Sequence, residues 1–499
     1  MAGGDPGAPG PARAGCIGGA GAGAAGEAGL QPQQLEHRQR GERADVDDGV
    51  RGHRPQRVRF VGPAGGGARG GRGGRRCGAW NGGGGGGVRG RGGGVDVGCG
   101  GRARGRRRSP MKFRYEHFGG IVAIDEPPAL VHVDRLFVEE LGMPPGPRWG
   151  EPDPGHLSAP TEVHLMTTNR CPAGCPGCYT GAVPDGEEPE GRAVREVLTR
   201  LAEHGVFHVA LGGGESLLRE DLFELAAHAR SVGLVPNLTT SGIGLTREAA
   251  ERCRVFGQVN VSLDGVGEAY RAARGYDGSG VALRALERLV EAGVPAGVNF
   301  VVQRCNWAAM EETVAAVAGR GGNEVEFLRF KPAGRGFDGY LERRLRPEQA
   351  EALLPRLLAL GERYPAVHMK VDCSFVPFLC ASDPDPEVLA QFGVIGCEAG
   401  NVLAAVKADL QATPCSFVEE PLGGVDALVD RWDDHPSLRA WRTFPERAPE
   451  PCASCPYQAV CRGGCKVVSR RLTGELFVPD PECPRVRRHA QAVEAGEEA

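Results

Sequence analysis

The sequence predicts an α/β chain: a partial (β/α)6 barrel of the TIM type, with a cysteine-rich C-terminal extension and, ahead of it, a disordered N-terminal tract. Three observations carry this. From the region of residue 160 onward, short apolar, β-branched runs alternate with amphipathic stretches of helix length, the pattern of repeated βα units and a parallel sheet. Glycine-rich or polar signatures stand at the ends of successive predicted strands, where parallel α/β sheets build their sites. Composition also breaks at both ends, with Gly, Arg and Ala dominating residues 1–110 and cysteines crowding the last quarter of the chain.

Taken in order, residues 1–110 contain no Lys, few aromatics and neither a helical nor a strand period, so they cannot bury a core. Their arginines could meet phosphates, but stacking platforms are missing and the whole chain carries a formal charge of −4, which gives no pointer to a nucleic-acid partner. At Met111 the text turns into ordinary folded sequence. This reads as true translation beginning at Met111, with GC-rich upstream DNA read as protein. Residues 111–158 form a leading segment with a strand or hairpin and a helix near Val133–Leu141, which caps the barrel or receives a peptide by strand addition.

The barrel is expected over 159–345. Its strands are Val163–Thr168, Phe207–Leu211, Val235–Thr239, Gln258–Leu263, Gly297–Gln303 and Glu324–Phe330. Its helices are Arg192–Glu203, Glu220–Val232, Thr246–Arg252, Val281–Ala292 and Ala308–Ala318. A bridging region follows over 346–396, then a cysteine module over 397–490 and a tail over 491–499.

Each loop beyond a strand carries a candidate motif. The first holds Cys171-Pro-Ala-Gly-Cys175-Pro-Gly-Cys178-Tyr179, where three thiolates can converge on one metal centre. A 4Fe-4S cube normally takes four Cys, so three leave one iron open to a small molecule. The alternative is structural zinc with a fourth ligand such as His164 or His208. Gly212-Gly213-Gly214-Glu215 ends strand two, its glycines permitting close backbone approach and Glu215 able to accept from an ammonium group. Thr240-Ser241-Gly242 follows strand three, and Ser262-Leu263-Asp264-Gly265 closes strand four, Asp264 being able to accept from ribose hydroxyls. After strand six, Lys331-Pro-Ala-Gly-Arg335-Gly336 is a binder of carboxylate or phosphate, or merely a basic turn.

The triplet with its following aromatic, and the order of these loops, resembles the signature of the radical S-adenosylmethionine (SAM) enzymes. The resemblance implies that SAM chelates the unique iron and is cleaved to a 5'-deoxyadenosyl radical that abstracts a substrate hydrogen. It also implies that Gly213, Gly214, Glu215, Ser241, Ser262, Asp264 and Arg274 surround SAM, Arg274 pairing with its carboxylate. The family often has Pro after the Glu, where this chain has Ser216.

Near the C-terminus, Cys452-x2-Cys455-x5-Cys461-x3-Cys465 and then Cys483 resembles the SPASM domain, an extension with auxiliary Fe-S clusters. By that resemblance Cys452, Cys455, Cys461 and Cys483 hold a distal cluster. Cys397, Cys415 and Cys465 hold a proximal one, whose fourth ligand is Cys380 or Cys373, with Cys380 preferred because it is nearer to Cys397 in sequence, a cluster with an open iron being the alternative. The family has Gly where Leu410 stands, so a different turn is expected there. Cys253 and Cys305 read as ordinary buried thiols.

The resemblance further implies an oxygen-sensitive enzyme acting on a precursor peptide or protein, supplied with electrons by a donor such as flavodoxin or ferredoxin. A maturase of a small cofactor such as a modified haem is the second enzymatic reading. A non-catalytic iron-sulfur or zinc protein is the contrasting one, and the SAM-type loops argue against it. No secretory h-region and no run of membrane-spanning length occurs, and the chain is too long for a small disulfide scaffold, so a reducing cytoplasm is expected.

Overall fold

The computed structural model describes residues 112–125 and 128–496, together with the backbone of Arg59–Val61. The readings made for the rest of residues 1–110 therefore lie outside the described residues.

At the N-terminal side, β2 (Lys112–Glu116), β3 (Gly119–Asp125) and β4 (Pro128–Asp134) form an antiparallel sheet, which β1 (Arg59–Val61) extends beside β4. Helix α1 (Arg135–Glu140) follows, started by Asp134, whose side chain accepts from Phe137 N. The sheet sits across the foot of the barrel. Arg114 donates to Pro160 O (3.0 Å) and Gly205 O (2.9 Å) while pairing with Glu116, and Lys112 reaches Gly233 O (3.2 Å). Those carbonyls precede the barrel strands, so this contact is at the end opposite the cysteine loop.

The six expected βα units are present. Their strands are β5 (Glu162–Thr168), β6 (His208–Gly213), β7 (Val235–Thr240), β8 (Val259–Ser262), β9 (Ala296–Val302) and β10 (Glu324–Arg329). The helices between them are α2 (Gly191–Glu203), α3 (Leu222–Ser231), α4 (Arg247–Arg252), α5 (Glu268–Arg274), α6 (Ser279–Glu291) and α7 (Met310–Ala318). Only α5 lacks a counterpart in the sequence reading.

Strand alternation explains the layering. Val163, Leu165, Val209, Leu211, Val261, Val298, Phe300, Val325 and Phe327 are fully buried against the helices. Burying each such side chain is worth about 1.5–3 kcal/mol. Between them, Glu162, His164, Asn237, Thr239, Asn299 and Glu326 are only partly buried, which gives the inner face of the strands a polar lining.

The sheet continues past the six strands. After α8 (Tyr340–Arg343), α9 (Pro347–Glu351) and α10 (Leu353–Arg363), β11 (His368–Val371) pairs parallel with β10. Helices α11 (Val376–Leu379) and α12 (Pro386–Gln391) lead to β12 (Leu403–Val406), which pairs parallel with β5, and to antiparallel β13 (Ala412–Thr413). The cysteine module thus lends a strand to the barrel sheet. It is completed by α13 (Val425–Asp430), α14 (Pro436–Arg447), α15 (Gln458–Cys461), α16 (Lys466–Thr473) and α17 (Pro484–Ala495). Among the described residues no helix is long and apolar enough to cross a membrane.

Leu410, standing where the family has Gly, lies in the turn between β12 and β13. Leu410 adopts φ +61°, a left-handed conformation that glycine takes freely. The turn between β12 and β13 closes through Leu410 N to Lys407 O (2.9 Å). A side chain is strained in this conformation, where glycine would not be.

Candidate functional site

Cys171, Cys175 and Cys178 lie on the loop after β5, and all three are half-buried. The loop is tied internally by Cys171 N to Val183 O (2.8 Å) and Cys178 N to Cys175 O (3.2 Å). It runs hard against the end of β6. Gly214 N donates to Thr168 O (2.7 Å) and Glu215 N to Arg170 O (2.9 Å). A Cβ on Gly213 would stand 2.2 Å from Thr168 O, and one on Gly214 would stand 2.2 Å from Arg170 O. The two glycines are needed because the backbone they admit is that of the cysteine loop.

Glu215 is buried and fully engaged. It accepts from Thr240 Oγ1 (2.7 Å), Ser241 N (2.7 Å), Ser241 Oγ (2.5 Å) and Leu217 N (3.2 Å). Burial pushes its carboxyl pKa up, and these donors offset part of the rise. The carboxylate thereby knits the ends of β6 and β7 together. Ser216, standing where the family has Pro, is buried; its Oγ donates to Gly212 O (3.0 Å) and shares a hydrogen bond with Thr167 Oγ1 (3.1 Å).

Ser262 ends β8, opposite Asn299 in register. Asp264 accepts from Arg274 Nε at one oxygen (2.7 Å) and from Val301 N at the other (2.7 Å). One acceptor position on each oxygen is thus committed to the chain, so Asp264 first of all positions Arg274. Burial would lower the Arg274 pKa, but Asp264 outweighs it and the guanidinium is held charged. Arg274 closes α5, and a Cβ on the next residue, Gly275, would stand 3.2 Å from Pro176 Cδ. The charge of Cys175 bears on it as well. Among the described residues only its Nε is hydrogen-bonded, which leaves the terminal nitrogens for an anion beside the cysteine loop.

The basic turn after β10 is a brace, which the sequence reading missed. Arg335 donates from Nε to Cys175 O (2.9 Å) and from Nη1 to Ala182 O (2.7 Å), and its backbone N donates to Cys178 O (2.9 Å). Gly334, at φ +50°, would bring a Cβ to 2.6 Å from Cys178 O. Lys331 is paired with Asp372 and lies over the Phe417 ring. Both cations of this segment are thus engaged with partners inside the chain. The signal available in the sequence was the pair of glycines flanking Arg335, which mark a close backbone approach.

The proposed fourth ligands of a zinc site are not near the triplet. His208 opens β6 at the opposite end of the strand. His164 lies within β5, where Nε2 meets Glu162 Oε1 (3.0 Å) and Nδ1 meets Ser416 Oγ (2.7 Å).

In the C-terminal module, Cys452, Cys455, Cys461 and Cys483 line one cavity, and Cys380 lines it with them. This corrects the placement of Cys380 in the proximal group. Sequence proximity to Cys397 was misleading, because α11 carries Cys380 away to the distal side. Cys373, by contrast, is close enough for the charge of Cys397 to bear on it, and Cys397 and Cys465 act in the same way on Cys415. Burial pushes Cys380, Cys415 and Cys452 up to about 12. These thiols would be protonated alone and need a metal to displace the proton. No disulfide joins the described cysteines. Cys253 is buried as expected, whereas Cys305 is only partly buried.

The donor set is thiol sulfur throughout, in the loop after β5 and around the C-terminal cavity alike, and thiolates are the ligands that hold Fe-S clusters.

Comparison with known proteins agrees with this geometry. The model of the radical SAM superfamily matches residues 165–317. The chain is 32% identical over 348 residues to the PqqA peptide cyclase of Methylocella silvestris, an alignment covering 66% of this chain and 89% of that one. It is 32% identical over 352 residues to the mycofactocin maturase MftC of Mycolicibacterium smegmatis, covering 68% and 86%. Its fold resembles that of Streptococcus suis SuiB bound to the precursor peptide SuiA, with a TM-score of 0.60 at 16% identity, covering 75% of this chain and 98% of SuiB.

Proposed function

Because the chain belongs to the radical SAM superfamily, whose members use a 4Fe-4S cluster and SAM, we propose that Cys171, Cys175 and Cys178 hold the SAM-binding cluster of a peptide maturase. The observation that carries this is the half-buried cysteine triplet with Arg274 packed beside it at the strand ends. When bound, cluster and SAM supply a 5'-deoxyadenosyl radical able to take a hydrogen atom from the substrate. The chain's own part is to hold that chemistry in place. Gly213 and Gly214 admit the cysteine loop, and Glu215, bound to Thr240 and Ser241, holds the ends of β6 and β7 in place beside the SAM ammonium group. Arg274, held by Asp264, meets the SAM carboxylate, while Ser262 lies toward the ribose. Arg335 keeps the loop from opening.

In the C-terminal module, Cys373, Cys397, Cys415 and Cys465 hold a proximal auxiliary cluster, and Cys452, Cys455, Cys461 and Cys483 a distal one. The substrate is a ribosomally made precursor peptide or protein. Support comes from the relatives, one a PqqA peptide cyclase and another a mycofactocin maturase, and each is covered over more than four-fifths of its length. Electrons come from a donor such as flavodoxin or ferredoxin in the cytoplasm.

The test is anaerobic reconstitution followed by iron analysis and turnover. About twelve irons per chain are expected from three cubes, with 5'-deoxyadenosine released from SAM under a strong reductant. A short open reading frame neighbouring the gene, co-expressed with the enzyme, should yield a peptide of altered mass. Iron near four with zinc in the module defeats the auxiliary clusters. Absence of 5'-deoxyadenosine defeats the site.

A further inference from the structure

Lys466 follows Cys465 at the start of α16 and is 2% exposed. A buried ammonium is costly unless an anion or several good acceptors compensate it. Its hydrogen-bond partners among the described residues are two carbonyls, Gly463 O at 2.9 Å and Val478 O at 3.5 Å. Its Nζ also sits 3.6 Å from the centre of the Phe444 ring, which adds cation–π attraction but no counter-charge. Among the described residues no carboxylate is in ion-pair contact with it. Asp480, which accepts from Cys465 N (3.1 Å), is already bound to Arg329 (2.6 Å).

Lys331 makes the contrast. It is buried to a similar degree, at 7% exposed, yet it has Asp372 as a direct ionic partner. Lys466 has thiols on either side. It follows Cys465 of the proximal group directly in the chain, and the Phe444 ring against its Nζ packs in one cluster with Cys452 of the distal group. Gly463, whose carbonyl it bonds, lines the distal cavity, and a Cβ there would stand 2.9 Å from Nζ. The ammonium is therefore placed on the wall between the two cysteine groups.

We propose that Lys466 is the shared counter-ion of the two auxiliary clusters and sets the potentials of both. The proposal rests on the auxiliary-cluster reading above. Thiolate-bound clusters are anionic and gain a further negative charge on reduction, so a fixed cation nearby stabilises the reduced state and raises the potential. A charge lying between two clusters raises both. It is thus a positioning charge for an electron entering or leaving the module, and it touches no substrate.

The experiment compares full-length Lys466→Met and Lys466→Arg with the wild type after anaerobic reconstitution, using iron analysis and redox titration followed by electron paramagnetic resonance. In Lys466→Met both auxiliary signals should move to more negative potential, while the cluster on Cys171, Cys175 and Cys178 keeps its own. Lys466→Arg, which keeps the charge, should stay close to the wild type. If Lys466→Met loses auxiliary iron while Lys466→Arg binds about twelve irons, the charge is needed to hold the clusters, which also supports the proposal. Unmoved auxiliary potentials in an iron-replete Lys466→Met protein overturn it, as does an arginine variant shifted as far as the methionine one. Failure of both variants to assemble the module overturns it too, because shape and carbonyl bonding would then be the requirement. Wild-type iron near four instead defeats the cluster reading on which the proposal stands.

Discussion

The cysteine loop after β5 and the distal cavity of the C-terminal cysteine module use the same side chain in different settings. The loop's thiols are half-buried, and its rigidity comes from outside, through Arg335 and the glycines of β6. Near the C-terminus Cys380, Cys452, Cys461, Cys465 and Cys483 are buried, whereas Cys373, Cys397, Cys415 and Cys455 are half-buried like the loop's thiols. The difference is therefore sharpest at the distal cavity, and it teaches that one ligand type can be left reachable at a strand end or enclosed by the chain. The braced loop does the first, and the cavity lined by Cys452, Cys461 and Cys483 does the second.

The sharpest way to break that comparison is to empty each region in turn. Replacing Cys171, Cys175 and Cys178 together by Ala should lower iron from about twelve to about eight per chain and abolish 5'-deoxyadenosine. Chromatographic detection of 5'-deoxyadenosine from that variant would show that the open centre lies elsewhere. Cys455→Ala, provided circular dichroism shows a folded chain, should lose most product yet keep uncoupled SAM cleavage. Full turnover of the precursor peptide would deny the distal cluster any part in catalysis.

Next in size is the brace. Arg335→Met removes two charge-assisted hydrogen bonds to carbonyls, each worth about 1.5–3 kcal/mol. SAM cleavage should fall by about tenfold or more, and a chelator should strip iron faster from the loop than from the module. Equal rates of iron loss from both regions would mean that the loop is rigid without Arg335.

A smaller effect is expected between the two candidate proximal ligands. Cys373→Ala should reduce the proximal signal, whereas Cys380→Ala should leave it and perturb at most the distal one, as electron paramagnetic resonance can separate. Loss of the proximal signal on replacing Cys380 would restore the sequence-based preference.

The smallest effect is expected at the β12–β13 turn. Leu410→Gly relieves a left-handed residue at about 1–2 kcal/mol but gives up the packing of a half-buried Leu. Net stability should rise by at most about 1 kcal/mol, with iron content unchanged. A fall larger than that in thermal unfolding would show that packing, not backbone strain, governs the position.

The barrel was legible because its signals are local. The reading Glu324–Phe330 became Glu324–Arg329, and Val281–Ala292 became Ser279–Glu291, since strand alternation and amphipathic spacing are properties of adjacent residues. Helix α5 was missed because seven residues between glycines give too short a pattern, although it carries Arg274. Strand β12 was missed for the same reason, its Leu-Ala-Ala-Val run being too brief to read. The neighbourhoods of Cys380 and Arg335 are not encoded by spacing at all. They depend on which segment the fold returns to the same place, and sequence distance is a poor guide to that.

The N-terminal sheet, fastened through Arg114 and Lys112 to the foot of the barrel, also acts as a ruler. The seven residues of β5 separate that foot from the cysteine loop, a rise of about 23 Å at 3.3 Å per residue. An extended chain covers at most about 3.6 Å per residue. A peptide gripped at the sheet while reacting at the mouth would therefore need some seven residues of slack between its anchored part and the reacting one, and a shorter spacer would leave the target out of reach.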